Sequence, residues 1–345
     1  WPPEYGGSAM EPGLGEAILE ALVRAGCRHD GWATTWNVAN TLLVVGTEEQ
    51  KQKYVAGALA GSVVIALGYT EPDSGSDVAA ARMPARWTGH DWVLTGEKMF
   101  TSTADQASHV LVLARTTVGP SKHDGLTMFL VPTDAPGFEC RPIHTLGGHA
   151  TTATSYRDVH IPDDARVGAV DEGWSVMRTS LVFERKGAPG KVARTGRALV
   201  DRTLASMDAA SIDATFGSDA ARERLARIAV NSEVSRLLWA RFHTSAAANA
   251  KLGLRADGTE GAIAKLFGTE SERLAAEALL ELFGPQGVLQ RDAPGAPLDG
   301  VIEESFRYGA VETIYGGSSE VMREIIAERR LGLPRTSRTN REGDR

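Results

Sequence analysis

The stretch Val63-Val64-Ile65-Ala66-Leu67-Gly68-Tyr69-Thr70-Glu71-Pro72-Asp73-Ser74-Gly75-Ser76-Asp77 marks the change from a helical to a strand pattern. Before it, apolar residues such as Leu14, Ile18 and Leu22 recur at the spacing of a helix buried on one face. Within it, Val63–Tyr69 is rich in β-branched residues and is followed by turn-forming residues, which is typical of a strand. The local structure therefore changes near residue 63.

Further short runs of β-branched and aromatic residues follow this stretch and are separated by turns. They are Trp92–Thr95, His109–Ala114, Leu126–Val131 and Tyr156–Ile161. Strands at this spacing, with no helix between them, form an antiparallel sandwich or barrel rather than a doubly wound sheet. From Gly173 the helical period returns in long segments, which favours an antiparallel bundle. These segments are Trp174–Met207, Asp219–Ala250, Gly261–Leu282 and Ser318–Arg330.

The sequence thus predicts an α+β protein with three successive zones. We expect an N-terminal helical domain at residues 1–62, a middle antiparallel β-barrel or sandwich at 63–168 and a C-terminal four-helix bundle at 169–333. The polar tail, residues 334–345, is expected to be disordered. Within the first zone, Thr47-Glu48-Glu49-Gln50 predicts a helix start, because a capping residue precedes two carboxylates.

Composition limits the class of protein. The chain has 345 residues with 37 Lys and Arg against 44 Asp and Glu, and a net charge of −7 argues against nucleic-acid binding. The best apolar run, Val63–Leu67, is strand-sized, so we expect no membrane span. Two cysteines fit a reducing, cytoplasmic compartment. The chain opens with Trp1-Pro2-Pro3, and we expect that it lacks its own beginning.

Common nucleotide and metal signatures are missing from the sequence. No Gly-rich dinucleotide fingerprint follows a predicted strand, and there is no Walker loop. The eight histidines are scattered and no pair has helical metal spacing, so we expect no metal site.

Three motifs carry a family resemblance. They are Tyr69–Asp77, Gly96-Glu97-Lys98-Met99-Phe100-Thr101-Ser102 and Ile314-Tyr315-Gly316-Gly317-Ser318-Ser319-Glu320. Further matches are Trp1–Gly7, Gly46–Lys51, Thr145–Gly148 and Phe283–Gly287. In order and spacing, from Trp1 to about Pro334, they resemble the FAD-dependent acyl-CoA dehydrogenase family, and in particular actinobacterial members. The resemblance implies the same three-domain fold and α,β-dehydrogenation of an acyl-CoA thioester to a trans-2-enoyl-CoA, with hydride transfer to flavin N5.

The catalytic base is the informative departure from the family pattern. Many members carry it as Tyr-Glu-Gly, whereas this chain reads Tyr315-Gly316-Gly317, and a glycine cannot take a proton. Isovaleryl- and long-chain-type members instead use a Glu before an Arg on the first long bundle helix, which corresponds here to Glu184 and Arg185. The resemblance therefore implies Glu184 as the base. It also implies that Gly316 polarises the thioester carbonyl through its backbone N–H.

The local sequence is compatible with that role. Gly187 and Ala188, three and four residues further along the helix, leave the face of Glu184 bare. Apolar Leu181 and Val182 precede it, and a desolvated carboxylate has its pKa raised from about 4.3, which makes it a better base near neutral pH. Without the family pattern, a Glu-Arg-Lys triplet would more often form a solvated charged face.

The resemblance also implies a set of binding residues. Thr70 would contact the flavin pyrimidine, Ser102 would lie near N5, and Phe100 would lie against the ring. The whole implied cofactor set is Leu67, Tyr69, Thr70, Ser76, Phe100, Thr101, Ser102, Thr215, Phe216, Glu281, Gly284, Ser318 and Glu320. The implied substrate contacts are Ser76, Arg185 and Gly317. For an isolated hydroxyl, an ordinary turn or strand-edge role is the alternative.

Two acidic residues depart from the family's cofactor contacts. Asp213 stands where members have an Arg that contacts FAD of a neighbouring subunit, and an aspartate there would repel a diphosphate. Its alternative role is an N-cap in a turn before a helix. Glu281 stands where Gln is common. Because two unlike subunits share the FAD sites in some actinobacterial relatives, a homotetramer and a heterotetramer both stay open.

The leading hypothesis is a dehydrogenase that passes electrons to an electron-transferring flavoprotein or an equivalent acceptor. One alternative is a catalytically silent subunit that completes the FAD site of a heteromeric partner, and another is a flavin acyl-CoA oxidase. Gly316 removes bulk beside the reacting carbons, which favours a branched, long or sterol-derived acyl chain over butyryl.

Overall fold

The computed structural model describes residues 1–10, 31–186, 196–251 and 259–334, together with residues 14, 18, 21 and 22. The chain forms two compact units, Trp1–Arg194 and Thr195–Arg345. Gly187, Ala188, most of the helical repeat between residues 13 and 30, and the tail beyond Pro334 lie outside the described residues.

The first unit begins with helices. Helix α1 spans Trp32–Val45, and α2 runs through Glu48–Gln50, a wider π turn at Lys51–Val55 and a last turn at Ala56–Leu59. Gln50 N donates to Thr47 Oγ1 at 3.2 Å, and Thr47 N donates to Gln50 Oε1 at 3.2 Å. This reciprocal pair satisfies two N–H groups that the first turn leaves unbonded, and it confirms the predicted helix start.

Two four-stranded sheets follow in the same unit. The strands are β1 Ile65–Gly68, β2 Ala85–Trp87, β3 Asp91–Lys98, β4 His109–Arg115, β5 Leu126–Pro132, β6 Phe138–His144, β7 Ala150–Pro162 and β8 Arg166–Val167. One sheet has the order β1-β4-β5-β8 and the other β2-β3-β7-β6. Short 3₁₀ turns lie at Pro3–Tyr5, Val78–Ala80 and Asp163–Ala165. The five predicted strands are present, and β2, β6 and β8 are additional.

One strand pair differs from the antiparallel expectation. β1 and β4 are parallel, with Ile65 opposite His109 and Gly68 opposite Val112. After β1 the chain enters the second sheet as β2 and β3, then returns to the first sheet in its original direction. A parallel pair requires such a long crossover connection. The other ladders are antiparallel in the described part of the chain.

The first sheet is the middle layer of this unit. On β4, Leu111 and Leu113 pack into a cluster with Val38 and Leu42 of α1. Val112, from the opposite face of β4, belongs to the cluster between the two sheets. Burial on both faces explains why β4 reads as a continuous apolar run instead of alternating with polar residues.

Helix α3, Gly173–Lys186, also belongs to the first unit. It packs on α1 and β5, and the Phe183 ring meets the Trp36 ring edge-on at 6.1 Å between centroids. The sequence suggests α3 as the first helix of the C-terminal bundle. The structure groups α3 with the first unit, whereas the sequence groups it with the bundle, so the domain boundary at 168/169 stays a prediction.

The second unit is helical in its described residues. Its helices are α4 Gly196–Ala205, α5 Ala209–Phe216, α6 Asp219–Lys251, α7 Thr259–Phe283, α8 Val301–Glu312 and α9 Ser319–Arg329, with 3₁₀ turns at Gly284–Gln286 and Pro297–Gly300. Its core joins Leu199 of α4, Ile228 of α6, Leu279 of α7 and Ile302 of α8. Four helices thus share one core, as expected for a bundle.

A buried ion pair joins two of the three sequence motifs. Lys98 Nζ lies 2.8 Å from Glu71 Oε1, and the two side chains are 0% and 9% exposed. Glu71 also accepts hydrogen bonds from Arg82 N at 2.7 Å and Met83 N at 2.9 Å. Burial raises the pKa of the Glu71 carboxyl, but the Lys98 charge and these hydrogen bonds outweigh it, so the net pKa lies below its usual value.

We predict that Lys98→Met destabilises the protein by about 3 kcal/mol, because it leaves a buried carboxylate without its cation. Urea unfolding measures the change. Removing the exposed cation Arg157 from its pair with Glu139, as Arg157→Met, should cost less than about 1 kcal/mol.

The stability that Glu71 contributes is complete above its unfolded pKa and is lost as pH falls through its folded pKa. The deficit of Lys98→Met should therefore shrink on acidification, and a deficit independent of pH would contradict this assignment.

We also predict that Gln50→Leu lowers the free energy of unfolding by about 2–3 kcal/mol. Gln50 is 4% exposed, and its Nε2 donates to the carbonyls of Asp164 and Arg166 at 2.8 Å each. Its loss leaves these two partly buried carbonyls without their side-chain donor and removes half of the capping pair with Thr47. The exposed neighbour Gln52, changed to Leu, is the matched control in the same denaturation experiment. Equal midpoints for the two variants would contradict the prediction.

Candidate functional site

The first two motifs meet in the first unit through backbone contacts. Met99 N donates to Thr70 O at 2.8 Å, and Lys98 Nζ donates to Tyr69 O at 3.3 Å. The segment after β1 is thereby fixed against the end of β3. Thr70 and Phe100, which lie far apart in sequence, are placed on adjoining backbone segments.

The Phe100 side chain is held in an exposed position. Its backbone has φ 56°, a left-handed conformation that is strained for a bulky residue, and its ring is 58% exposed. Beside it, Ser102 is exposed, and its Oγ lies 3.1 Å from Thr151 Oγ1. This corner of the first unit therefore presents an aromatic face and a hydroxyl.

The other residues of the first unit that are implied for cofactor binding differ in how far their side chains are exposed to a ligand. Thr70 and Leu67 are half-buried and Ser76 is exposed. Thr101 is different, because it is fully buried and its N–H donates to Thr152 O at 2.8 Å. Its carbonyl accepts from the Thr152 hydroxyl at 2.5 Å. Thr101 is thus bonded within the sheet, and the structure does not bring its side chain to the site.

A cavity of about 340 Å³ lies between the first motif and the end of β3. Its lining includes Glu71, Asp73, Arg82 and Glu97. Because three of these four side chains are acidic, the cavity is a poor match for a phosphate-bearing ligand.

Glu184 lies on α3 and is half-buried. Burial raises the pKa of the Tyr69 hydroxyl above its usual value, its hydrogen bond with Ser180 lowers the pKa, and the negative charge of Glu184 raises it. Glu184 lies one turn after Ser180 on the same face of α3, and Ser180 Oγ lies 2.9 Å from the hydroxyl of Tyr69, which directly precedes Thr70. The side chain of Arg185 lies outside the described part of the chain.

The third motif lies in the second unit. Gly316 and Gly317 have φ 66° and 92°, and a Cβ at Gly317 would lie 2.4 Å from Met322 Cε. The positive φ favours glycine at both positions, and a larger residue at Gly317 would also require the end of the Met322 side chain to shift. Ser318 caps α9 by accepting from Val321 N at 3.4 Å, and Glu320 is exposed on the first turn. Hydrogen bonds at this helix start, first its own backbone N–H and then Ser318, lower the pKa of Glu320.

Further implied cofactor residues of the second unit are mainly acidic or buried. Glu281 pairs with Arg224 at 2.6 Å, and Asp213 lies 3.9 Å from Arg222. Thr215 is half-buried and Gly284 has φ 55°. Phe216 is 3% exposed, and its ring packs edge-on against the Phe283 ring at 5.6 Å, so a ligand could reach only its backbone.

The alternative interpretation of Asp213 as an N-cap is wrong. Asp213 lies inside α5, whose N-cap is Asp208, with Asp208 accepting from Ser211 N at 2.7 Å. The next helix, α6, has Ser218 before its first residue, and Ser218 Oγ accepts from Ala221 N at 3.2 Å. The helical segments predicted from the sequence leave residues 208–218 between them, and α5 with its Asp208 cap lies in that gap.

Among the described residues, no group of three or more His, Cys, Asp or Glu side chains could hold a metal ion. Within the same residues, no helix is both long and apolar enough to cross a membrane.

Three family descriptions match the chain in order. Residues 1–62 match the acyl-CoA dehydrogenase N-terminal domain, residues 66–159 the middle domain and residues 171–331 the C-terminal domain. Together they extend over most of the chain, and they agree with its helix, sheet and helix order. The predicted fold class is therefore confirmed.

Named relatives and solved structures agree with these matches. Acyl-CoA dehydrogenase FadE26 of Mycobacterium tuberculosis is 33% identical over 343 residues, which cover 98% of this chain and 85% of FadE26. The structure described as "Tcur3481-Tcur3483 steroid ACAD G363A variant" is similar with a TM-score of 0.88 and 34% identity, covering 97% of this chain and 86% of that one.

The ChsE4-ChsE5 complex from Mycobacterium tuberculosis is a further similar structure. It has a TM-score of 0.83 and 33% identity, and the match covers 97% of this chain and 86% of that one. Sequence and fold therefore agree over nearly the whole length. The chain belongs to the acyl-CoA dehydrogenase family of flavoprotein oxidoreductases and is an acyl-CoA dehydrogenase of lipid metabolism.

Proposed function

We propose that the chain converts an acyl-CoA thioester to its trans-2-enoyl-CoA with Glu184 as the base and FAD as the cofactor. The observation that carries this proposal is the position of Glu184. It is half-buried on α3, one turn after Ser180, whose hydroxyl bonds to Tyr69, the residue before the proposed flavin-binding Thr70. A carboxylate beside that segment can take a proton from a substrate held there.

The reaction divides the work between protein and cofactor. The α-carbon loses a proton to the Glu184 carboxylate, the β-carbon loses a hydride, and the electron pair of the α C–H bond becomes part of the new double bond. FAD supplies the hydride acceptor at N5 when it is bound.

The residues of the first unit fit a flavin ring. Phe100 offers an exposed aromatic face, held in place by a strained backbone that costs about 1–3 kcal/mol, and such a surface suits a flat aromatic partner. Thr70 and Ser102 add neutral hydroxyls, which suit the polar edge of the ring. We propose Leu67, Tyr69 and Ser76 as further contacts, and Thr101 only as support through the sheet.

In the second unit, the fit to a diphosphate is weaker. Asp213, Glu281 and Glu320 are acidic, although Arg222 and Arg224 pair with the first two. We propose that Thr215, Gly284 and Ser318 provide hydroxyl or backbone contacts and Phe216 a backbone contact to the cofactor.

For the substrate, we propose that Gly316 donates its backbone N–H to the thioester carbonyl, and that Ser76, Arg185 and Gly317 contact the CoA side. Donors aimed at a developing oxyanion stabilise the transition state more than the ground state. We propose a branched or sterol-derived acyl group, because Gly316 carries no side chain and one similar structure is described as a steroid ACAD.

The assembly and partners follow as further proposals. We propose a cytoplasmic homotetramer or heterotetramer that passes electrons to an electron-transferring flavoprotein or an equivalent acceptor. We propose domain limits of 1–62, 63–168 and 169–333, and the three family matches support them.

The second candidate function is a catalytically silent subunit that completes the FAD site of a partner. Asp213 and Glu281 favour it, because they put negative charge where a diphosphate would bind. Purification of this chain alone separates the two candidates. A yellow protein that acyl-CoA bleaches supports the dehydrogenase, and a colourless protein supports the silent subunit. Formation of peroxide in air would identify the oxidase alternative.

We predict that Glu184→Gln retains FAD but slows anaerobic flavin bleaching by acyl-CoA at least about a hundredfold, because the amide cannot accept the α-proton. Stopped-flow absorbance with a panel of acyl-CoA thioesters, including sterol-derived ones, measures the rate. The matched control is Glu172→Gln, an exposed residue directly before α3, which should bleach at the wild-type rate. Rapid bleaching by Glu184→Gln would refute the proposed base.

A further inference from the structure

A chain of buried polar side chains runs through the apolar core of the first unit. Tyr69 Oη lies 2.9 Å from Ser180 Oγ, and Ser180 Oγ donates to Asn37 Oδ1 at 3.1 Å. The three side chains are 8%, 0% and 2% exposed, respectively. Because Ser180 has one hydroxyl hydrogen and gives it to Asn37, the Tyr69 hydroxyl must donate to Ser180. The hydrogen bonds therefore have one direction, from Tyr69 to Ser180 to Asn37.

Each member of this network belongs to a different structural element. Tyr69 follows β1 and precedes Thr70, Ser180 lies on α3, and Asn37 lies near the middle of α1. Ser180 is four residues before Glu184, so the two side chains share one face of α3, one turn apart. The network thus joins the helix that carries the base to the segment proposed to bind the flavin.

Thr41 lies beside the far end of the network. Its Oγ1 donates to the Asn37 backbone carbonyl at 2.9 Å and lies 3.5 Å from Asn37 Oδ1. Because the Thr41 hydroxyl gives its hydrogen to the main chain, Asn37 Oδ1 is left to accept from Ser180.

Packing alone would not fix the rotation of α3. Val176 and Met177 of α3 pack with Val38 and Leu42 of α1 in one apolar cluster. Such contacts are non-directional, whereas a hydrogen bond requires a defined distance and angle. Glu184 lies at a radius of about 5–6 Å from the helix axis, so a rotation of about 10° would move its carboxylate by about 1 Å.

We infer that Tyr69, Ser180 and Asn37 are positioning residues that fix the rotation of α3, and with it the distance of the Glu184 carboxylate from the Thr70 segment. The two hydroxyls and the amide of this network act through α3 and do not themselves need to touch the reacting atoms. The inference rests on the proposed function of Glu184 as the base. A displacement of about 1 Å in a reacting group can lower the rate about a hundredfold. Precise positioning of Glu184 therefore gives a reason to keep three polar side chains in an apolar core.

The surroundings of Tyr69 keep its hydroxyl protonated. Burial and the charge of Glu184 both raise the pKa of Tyr69, so the phenol keeps the proton that it donates to Ser180 in the neutral pH range. The hydrogen bonds of the network therefore keep the same direction under assay conditions. The network fixes the position of α3 and transfers no proton.

Two single substitutions each delete one hydroxyl and little else. Tyr69→Phe and Ser180→Ala both remove the bond between β1 and α3, while the edge-on contact of Trp36 with Phe183 still holds α1 against α3. The matched control is Tyr156→Phe, a tyrosine of similar burial in β7 whose hydroxyl accepts from Thr154 at 3.3 Å. Thermal unfolding and the flavin spectrum establish that each variant is folded and carries FAD.

The test is single-turnover flavin reduction by acyl-CoA under anaerobic conditions, with unlabelled and α-deuterated thioester. We expect both variants to be about 10- to 100-fold slower than wild type, with an unchanged dissociation constant for acyl-CoA. The α-deuterium isotope effect should rise, because misplacing the base slows proton removal specifically. The double variant should be no slower than the slower single one, because both substitutions break the same bond. Tyr156→Phe should match wild type in rate and isotope effect.

The outcomes separate this inference from the proposed function. If Glu184→Gln is inactive but Tyr69→Phe and Ser180→Ala reduce the flavin like Tyr156→Phe, the positioning role is wrong and the base assignment stands. If the two variants lose only FAD affinity or stability, with the rate and isotope effect of the loaded protein unchanged, the role is structural and the inference is overturned. If Glu184→Gln is as fast as wild type, both proposals fail.

Discussion

The buried pair of Lys98 and Glu71 is the interaction on which the site in the first unit depends. It is a charged contact in an apolar setting, where its cost in desolvation is offset only by short contacts and by the backbone N–H groups of Arg82 and Met83. Such a pair adds little net stability compared with an apolar core, but it requires one relative position of the segments that it joins. Those segments carry Thr70 and Phe100. The ion pair therefore fixes where the proposed flavin contacts lie.

The Tyr69, Ser180 and Asn37 network extends the same principle from the sheet to the helices. The ion pair places the Thr70 segment against the end of β3, and the network places α3 against that segment. The apolar clusters around them supply the free energy of burial without specifying rotation or register. In the proposed mechanism, these two directional contacts in series set the position of α3 and, through it, that of the Glu184 carboxylate. They would explain how a base on a helix can replace one on the glycine-rich loop of the second unit.

The sequence predicts the parts of this structure that depend on local pattern. β4 and β5 were evident because β-branched runs buried on both faces have a strong signal, and the α2 start was evident from Thr47 and Gln50. The polar β6 and the two-residue β8 lack such a signal, and the parallel pairing of β1 with β4 depends on a long crossover. In the site, motif resemblance suggested Glu184 and Thr70. It could not indicate the network, because Asn37, Tyr69 and Ser180 are ordinary polar residues far apart in sequence that only the tertiary fold brings together.

The central claim is that the Glu184 carboxylate removes the α-proton of the substrate. It is tested most directly by a reaction in which hydride transfer is blocked, so that only proton movement is observed. With the flavin reduced beforehand and saturated acyl-CoA added in deuterium oxide, mass spectrometry measures deuterium incorporation at the α-carbon. The account predicts incorporation by the wild-type protein and none above the uncatalysed background by Glu184→Gln. Equal incorporation by the two proteins would contradict it and would require a different base.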